Sequence, residues 1–158
     1  MPAKKNGFFH SKRVGIIGGN YPDSKSLENA LRMGKLIAEN GYILVNGGMG
    51  GVMEASAKGA KSADGLVIAI LPGKSANDAN RFVDIAIPTG LGYMRNPMVI
   101  LNSDVVVAID GSYGTLSEIA YANIYKKPIF GLSTWNIQGV IALPTPEEII
   151  TQINNILK

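Results

Sequence analysis

Asp104-Val105-Val106-Val107-Ala108-Ile109-Asp110-Gly111-Ser112-Tyr113-Gly114-Thr115-Leu116-Ser117-Glu118 holds an apolar run, a glycine-spaced turn and a helix start in one continuous stretch. Val105 to Ile109 suit a strand buried on both faces, as in a parallel sheet covered by helices. The turn then delivers a helix, opening at Thr115, to the carboxyl edge of that sheet. Backbone N–H groups and the positive end of a helix dipole meet there, which is a site for phosphate. Gly111 and Gly114 let the backbone approach an anion where a β-carbon would intrude. Two readings of Thr115 and Glu118 stand at this point. They form the pair of a capping box, each satisfying the other's N–H, or they face a ligand.

The same order recurs along the chain. Val14 to Ile17 is a short apolar run ending in Gly18-Gly19-Asn20. Asp23 or Ser24 caps a helix whose stripe is Leu27, Ala30, Leu31, Gly34, Ile37 and Ala38, and Asn40-Gly41 closes it. Tyr42 to Val45 is a second strand, followed by Asn46-Gly47-Gly48-Met49-Gly50-Gly51 and a helix over 52–62. Leu66 to Leu71 is a third. Residues 72–81 are polar and turn-rich, the candidate for a mobile flap. A strand over 82–87, a helix over 93–102 with Pro97 in its first turn, a strand over 129–132 and a closing helix over 146–157 complete the pattern. Strands alternating with helices predict one α/β domain, a Rossmann-like doubly wound parallel sheet with helices on both faces. Residues 1–12 read as a flexible basic tail and 13–158 as the domain.

Composition narrows the function. The 158 residues are 46% apolar and 17% charged, with 19 glycines and a net charge of +3. Lys4, Lys5, Lys12 and Arg13 account for much of that charge. The remainder is near balance, so no basic stripe points to nucleic acid. No apolar run reaches membrane-spanning length and no signal-peptide core opens the chain, so a soluble, cytoplasmic protein is expected. Without cysteine there is no disulfide or thiolate metal site. The sole histidine, His10, falls in the basic tail, which argues against a Ser-His-Asp triad or a histidine metal site; no metal is expected.

Ligands of such a sheet sit outside the strand carboxyl ends, and three glycine turns, at 18–20, 47–51 and 111–114, end strands here. The dinucleotide fingerprint is absent, because Gly48 and Gly50 are followed by Met53 where its third glycine belongs. Gly73-Lys74-Ser75 imitates the end of a P-loop, but Ile68 replaces the first glycine. Arg95 stands at a helix start on the strand-end side, as a phosphate or carboxylate clamp or as a surface ion-pair partner.

Met94-Arg95 followed by Glu118 inside Gly-x-x-Gly-Thr-x-x-Glu resembles the LOG superfamily, Rossmann-like proteins often carrying a lysine decarboxylase label. Gly47-Gly48-Met49-Gly50-Gly51-Val52-Met53 resembles that family's second glycine turn, G-G-G-x-x-G-L-M. The resemblance, over roughly residues 13–132, implies that Arg95 and Glu118 are catalytic and that Gly111, Ser112, Gly114 and Thr115 hold phosphate. Gly18, Gly19, Asn20, Gly47, Gly48, Gly50, Gly51, Met94 and Asn96 are the further candidate ligand contacts. The family turn begins Pro-Gly-Gly where this chain has Asp110-Gly111-Ser112, and the family's basic residue after the arginine is Asn96 here. These departures resemble the branch that includes molybdenum-cofactor carriers.

Two functions follow as expectations. One is hydrolysis of the N-glycosidic bond of a nucleoside 5′-monophosphate to base and ribose 5-phosphate. Glu118 would steady the oxocarbenium-like transition state, Arg95 would hold phosphate or the departing base, and Asp110 would be a second carboxylate. The other is non-catalytic carriage or sensing of a nucleotide-like or molybdopterin-type ligand, with no cofactor required. Lysine decarboxylation is not expected, since nothing marks a pyridoxal-phosphate lysine. The helix over 115–125 is apolar nearly all round, with Ile119, Ala120, Tyr121, Ala122, Ile124 and Tyr125. That predicts a homodimer through this helix, and the resemblance implies dimers or tetramers.

Overall fold

A computed structural model describes residues 11–158. The basic tail, with His10, lies almost wholly outside the described residues. Seven strands form one sheet, β1 (Arg13–Gly18), β2 (Ile43–Asn46), β3 (Val67–Leu71), β4 (Ile85–Pro88), β5 (Val105–Ile109), β6 (Ile129–Leu132) and β7 (Val140–Ala142). Five helices connect them, α1 (Ser24–Glu39), α2 (Val52–Ser62), α3 (Asn96–Leu101), α4 (Tyr113–Ile124) and α5 (Pro146–Leu157). The strand order is β4-β3-β2-β1-β5-β6-β7, every neighbouring pair parallel. The chain builds outward from β1 in one direction, then returns to β5 and builds outward in the other. The order reverses between β1 and β5, so their carboxyl ends diverge into a crevice.

The pleat of β5 shows why its five residues are all apolar. Val105, Val107 and Ile109 pack into one core with α1, α2 and α5, whereas Val106 and Ala108 pack into another with α3 and α4. All five are fully buried. A parallel strand between two helix layers has no polar face to offer.

The α1 start is fixed by Asp23, whose side chain accepts from the Ser26 N–H at 2.8 Å. Its end falls at Asn40, with Gly41 at φ 80° just beyond. The buried stripe of α1 is rotated from the one expected. Met33 and Leu36 are buried, whereas Leu27 and Leu31 are about two-fifths exposed. Close approach to α2 sets that rotation: a β-carbon on Gly34 would lie 1.9 Å from the Ser56 carbonyl oxygen, and one on Gly59 1.9 Å from that of Leu31.

Three further elements differ from expectation. The segment over 93–102 divides into a 3-10 turn, Gly92–Arg95, and α3. Proline lacks an N–H and fits only an early helical position, and Pro97 sits at the start of α3. The short edge strand β7 was not anticipated, because its three residues are too few to show a period. The segment 72–81 contains a 3-10 turn, Ala76–Asp78. Asn80 ties it to the second glycine turn, its backbone N–H donating to the Gly48 carbonyl and its Nδ2 to that of Met49, both at 2.9 Å. No helix among the described residues is long and apolar enough to cross a membrane.

Candidate functional site

At the β1–β5 crevice the turn Gly18-Gly19-Asn20 meets the turn after β5. A β-carbon on Gly19 would stand 3.5 Å from the Gly111 Cα. Asp110 at φ 53° and Gly111 at φ 103° are both left-handed, a conformation that aspartate tolerates and glycine adopts freely. Asp110 Oδ1 accepts from the Gly111 N–H at 2.8 Å and so stabilises its own turn. The loop after β6 braces it: Thr134 Oγ1 donates to the Asp110 carbonyl at 2.7 Å and Trp135 Nε1 to the Ser112 carbonyl at 3.0 Å. Asp110 is therefore a turn residue and does not line the cleft.

The capping-box expectation is corrected here. The α4 helix begins two residues earlier than expected, at Tyr113, and its N-cap Ser112 makes no side-chain capping bond. Thr115 lies inside the first turn, where a capping side chain cannot act. The N–H groups of Tyr113, Gly114 and Thr115 find no acceptor among the described residues; the first helical bond is Leu116 N–H to the Ser112 carbonyl at 3.0 Å. Three unsatisfied donors at the head of a twelve-residue helix open onto a cleft of about 440 Å³. A β-carbon on Gly114 would find nothing nearer than 3.9 Å, so glycine there preserves empty space.

Gly18, Gly19 and Asn20 form one wall of this cleft, and Ser112, Gly114 and Thr115 the opposite one. Arg95, Asn96 and Glu118 make its floor. Arg95 is buried, which excludes the surface ion pair. Its Nε donates to the Ile70 carbonyl at 2.9 Å, its Nη2 to the Gly47 carbonyl at 3.4 Å, and its Nη1 to Asn96 Oδ1. Gly47 lacks a side chain to make room: a β-carbon would lie 2.6 Å from Nη2. Asn96 passes the connection on, its Nδ2 donating to Ser117 Oγ at 3.1 Å.

Glu118 is 8% exposed beside Arg95, and among the described residues no ion pair joins them within 4.0 Å and its carboxyl makes no hydrogen bond; since no fully buried side-chain oxygen there lacks a partner, its carboxyl oxygens open onto the cleft. Desolvation raises its pKa to about 8, with the Arg95 charge pulling the other way. Burial lowers the Arg95 pKa, opposed by Glu118 and Tyr93. At neutral pH, Glu118 is then mainly a carboxylic acid, a hydrogen-bond donor as well as an acceptor.

Several expected contacts stand elsewhere. Met94 is three-quarters exposed and lines no part of the cleft. Gly48 packs under Leu71 and Ala69, and Gly51, at φ 62°, packs against the Gly19 carbonyl. Gly47 and Gly48 make room for neighbouring side chains and Gly51 for a neighbouring backbone, and Gly50 and Gly51 lie beside Asn20 rather than in the cleft wall. Sequence reasoning missed Met53, Tyr93, Tyr113 and Ser117, which do line it. Tyr113 and Ser117 carried a signal, lying between Asp104 and Glu118, as did Met53 at the end of the second glycine-turn motif; Tyr93 carried none.

This arrangement defines a Rossmann-like protein with a cleft at the switch point of its sheet. Residues 11–156 match the SLOG cluster4 family, and the chain belongs to it. An uncharacterized protein of Archaeoglobus fulgidus is 47% identical over 139 residues, 87% of this chain and 91% of that one. The molybdenum cofactor binding protein from the phototrophic bacterium Rippkaea orientalis is 38% identical with a TM-score of 0.89, over 94% of this chain and 98% of that one. The molybdenum cofactor carrier protein of Chlamydomonas reinhardtii is 34% identical with a TM-score of 0.86, over 93% and 98%.

The Glu118 shift has a thermodynamic consequence. Between its unfolded value of 4.5 and its folded value of about 8, the native state binds the extra proton. Stability from this group is fully present below the unfolded value and lost as pH rises through the folded one. Relative to Glu118→Gln, the wild type is expected to lose stability from pH 5 to 8 by up to about 1.4 kcal/mol per pH unit. Urea unfolding across that range checks it; a pH-independent difference contradicts the assignment.

Proposed function

We propose that this protein binds a phosphorylated, nucleotide-like ligand of the molybdopterin type and acts as its carrier or sensor. The observation that carries this reading is the set of unpaired N–H groups at Tyr113, Gly114 and Thr115, opening onto the cleft. A phosphate there would accept those bonds and sit at the positive end of α4. Arg95 adds a buried positive charge but is held by backbone carbonyls, so it acts through its field more than by direct clamping. Glu118, mainly protonated, would donate to a ligand oxygen or nitrogen without repelling phosphate. The relatives named for binding or carrying molybdenum cofactor support the ligand class.

Hydrolysis of a nucleoside 5′-monophosphate is the second reading. A protonated Glu118 is suited to protonating a departing base, but a neutral carboxyl gives little electrostatic help to an oxocarbenium ion. Carriage needs no such step, and we rank it first.

Assembly completes the proposal. Ile119 and Ala122 of α4 are buried against Val99 and Ile100 of α3, whereas Ala120, Ile124 and Tyr125 point outward, with Ile124 66% exposed. Leu101 of α3 is half exposed, and Tyr121 stacks on Tyr125 at 6.1 Å. The α3 helix thus covers one side of α4 and leaves another for a second copy, giving a two-fold dimer that further pairing would make a tetramer.

Protein purified gently is expected to carry a pterin-like chromophore detectable by absorbance and mass spectrometry, and to release no free base from AMP. Gly114→Val should lose that ligand, with titrated affinity down at least about tenfold, while the circular dichroism spectrum is unchanged. Undiminished binding by this variant, or base release abolished by Glu118→Gln, contradicts the carrier reading. For assembly, light scattering should give at least twice the 16.7 kDa chain mass, and Tyr121→Glu should shift the particle toward monomer. A monomeric wild type contradicts it.

A further inference from the structure

A second cavity, of about 510 Å³, lies on the far side of the first glycine turn. Asn20 lines both it and the cleft, so the two are neighbours across one residue. Their chemistry differs. The cleft is headed by unpaired backbone N–H groups, but the second cavity offers an aromatic ring and two side-chain charges. Tyr21 is wholly exposed there, beside Pro22 and the half-exposed Leu27. An uncovered tyrosine next to apolar surface is a platform on which a flat heterocycle can stack.

Glu54 and Lys58 face the cavity from successive turns of α2. A glutamate four residues before a lysine is the favourable order for an ion pair along a helix. The Lys35–Glu39 pair of α1 closes to 3.8 Å even in the reverse order. Glu54 and Lys58 nevertheless form no ion pair within 4.0 Å among the described residues. The half-buried carboxylate and the exposed ammonium are therefore separately available to a ligand.

We infer that this cavity is the ring-recognition subsite of the phosphate cleft and takes an amino-oxopyrimidine edge, the one guanine and pterin share. This rests on the proposed phosphate site. Such an edge presents a ring N–H and an exocyclic amine side by side, which one carboxylate accepts together, and beside them a ring carbonyl. Glu54 supplies the carboxylate and Lys58 a donor for the carbonyl, while the ring stacks on Tyr21. Adenine offers at that edge one exocyclic amine beside a bare ring nitrogen and no carbonyl, so it cannot give Glu54 two adjacent donors, turns an acceptor toward the carboxylate and is discriminated against.

The experiment is calorimetric titration of AMP, GMP and hydroxymethylpterin monophosphate into wild type, Glu54→Gln and Tyr21→Ala. Wild type should bind GMP or the pterin phosphate at least about tenfold tighter than AMP. The stronger of the two identifies the source of the edge. Glu54→Gln should narrow that preference to about twofold without weakening AMP, and Tyr21→Ala should weaken every ring ligand. Equal binding of AMP by wild type, a preference that survives Glu54→Gln, or no binding of any ligand overturns the subsite. If guanosine and hydroxymethylpterin bind as tightly as their phosphates, still through Glu54, the phosphate reading fails and the subsite stands.

Discussion

At Asp110 and Gly111 the chain leaves the central strand through two successive left-handed residues, and the geometry of the cleft follows from that turn. It stops β5 at the point where the strand order reverses, and it aims α4 so that its first N–H groups face the space between β1 and β5. A side chain at Gly111 would also collide with Thr115, its β-carbon lying 2.2 Å from Oγ1. Asp110 meets its own strain with a bond to the next N–H, and Thr134 and Trp135 fix the carbonyls on either side of Gly111. The open space at Gly114, where a β-carbon would meet nothing nearer than 3.9 Å, lies at the end of this braced turn. Backbone donors held rigid before a ligand arrives lose little freedom on binding.

The electrostatics of the floor depend on a different economy of contacts. Arg95 reaches under the β2 and β3 ends to donate to the carbonyls of Gly47 and Ile70. Those bonds satisfy the guanidinium without a carboxylate, and Glu118, at the cleft, has no hydrogen bond among the described residues. Burial then outweighs the nearby positive charge and keeps the proton on Glu118. A deprotonated carboxylate at the same place would repel a phosphate bound to the head of α4. A protonated Glu118 is therefore compatible with the proposed phosphate site.

Most of the frame was legible in the sequence because buried parallel strands and their glycine turns leave local marks. The run Val105–Ile109, the caps Asp23 and Asn40-Gly41, and the helices over 52–62 and 146–157 are matched by the structure. The errors arose where long-range packing decides. Leu27 and Leu31 read as core until the close approach of α1 to α2 through Gly34 and Gly59 turns the helix. The packing roles of two glycines were equally hidden: Gly47 leaves room for Arg95, and Gly51 for the Gly19 carbonyl. Thr115 and Glu118 satisfied a capping pattern that a helix starting at Tyr113 does not use. The bracing by Trp135 links residues 23 positions apart and has no local signature.

The central claim is that phosphate binds the free amides at the start of α4. Amide chemical shifts followed by heteronuclear NMR during titration with inorganic phosphate, and then with GMP, test it most directly. The predicted result is that Tyr113, Gly114 and Thr115 shift first and furthest with both ligands, because they would gain the anion's hydrogen bonds. Saturable shifts centred on any other surface, with these three amides unmoved, would contradict it.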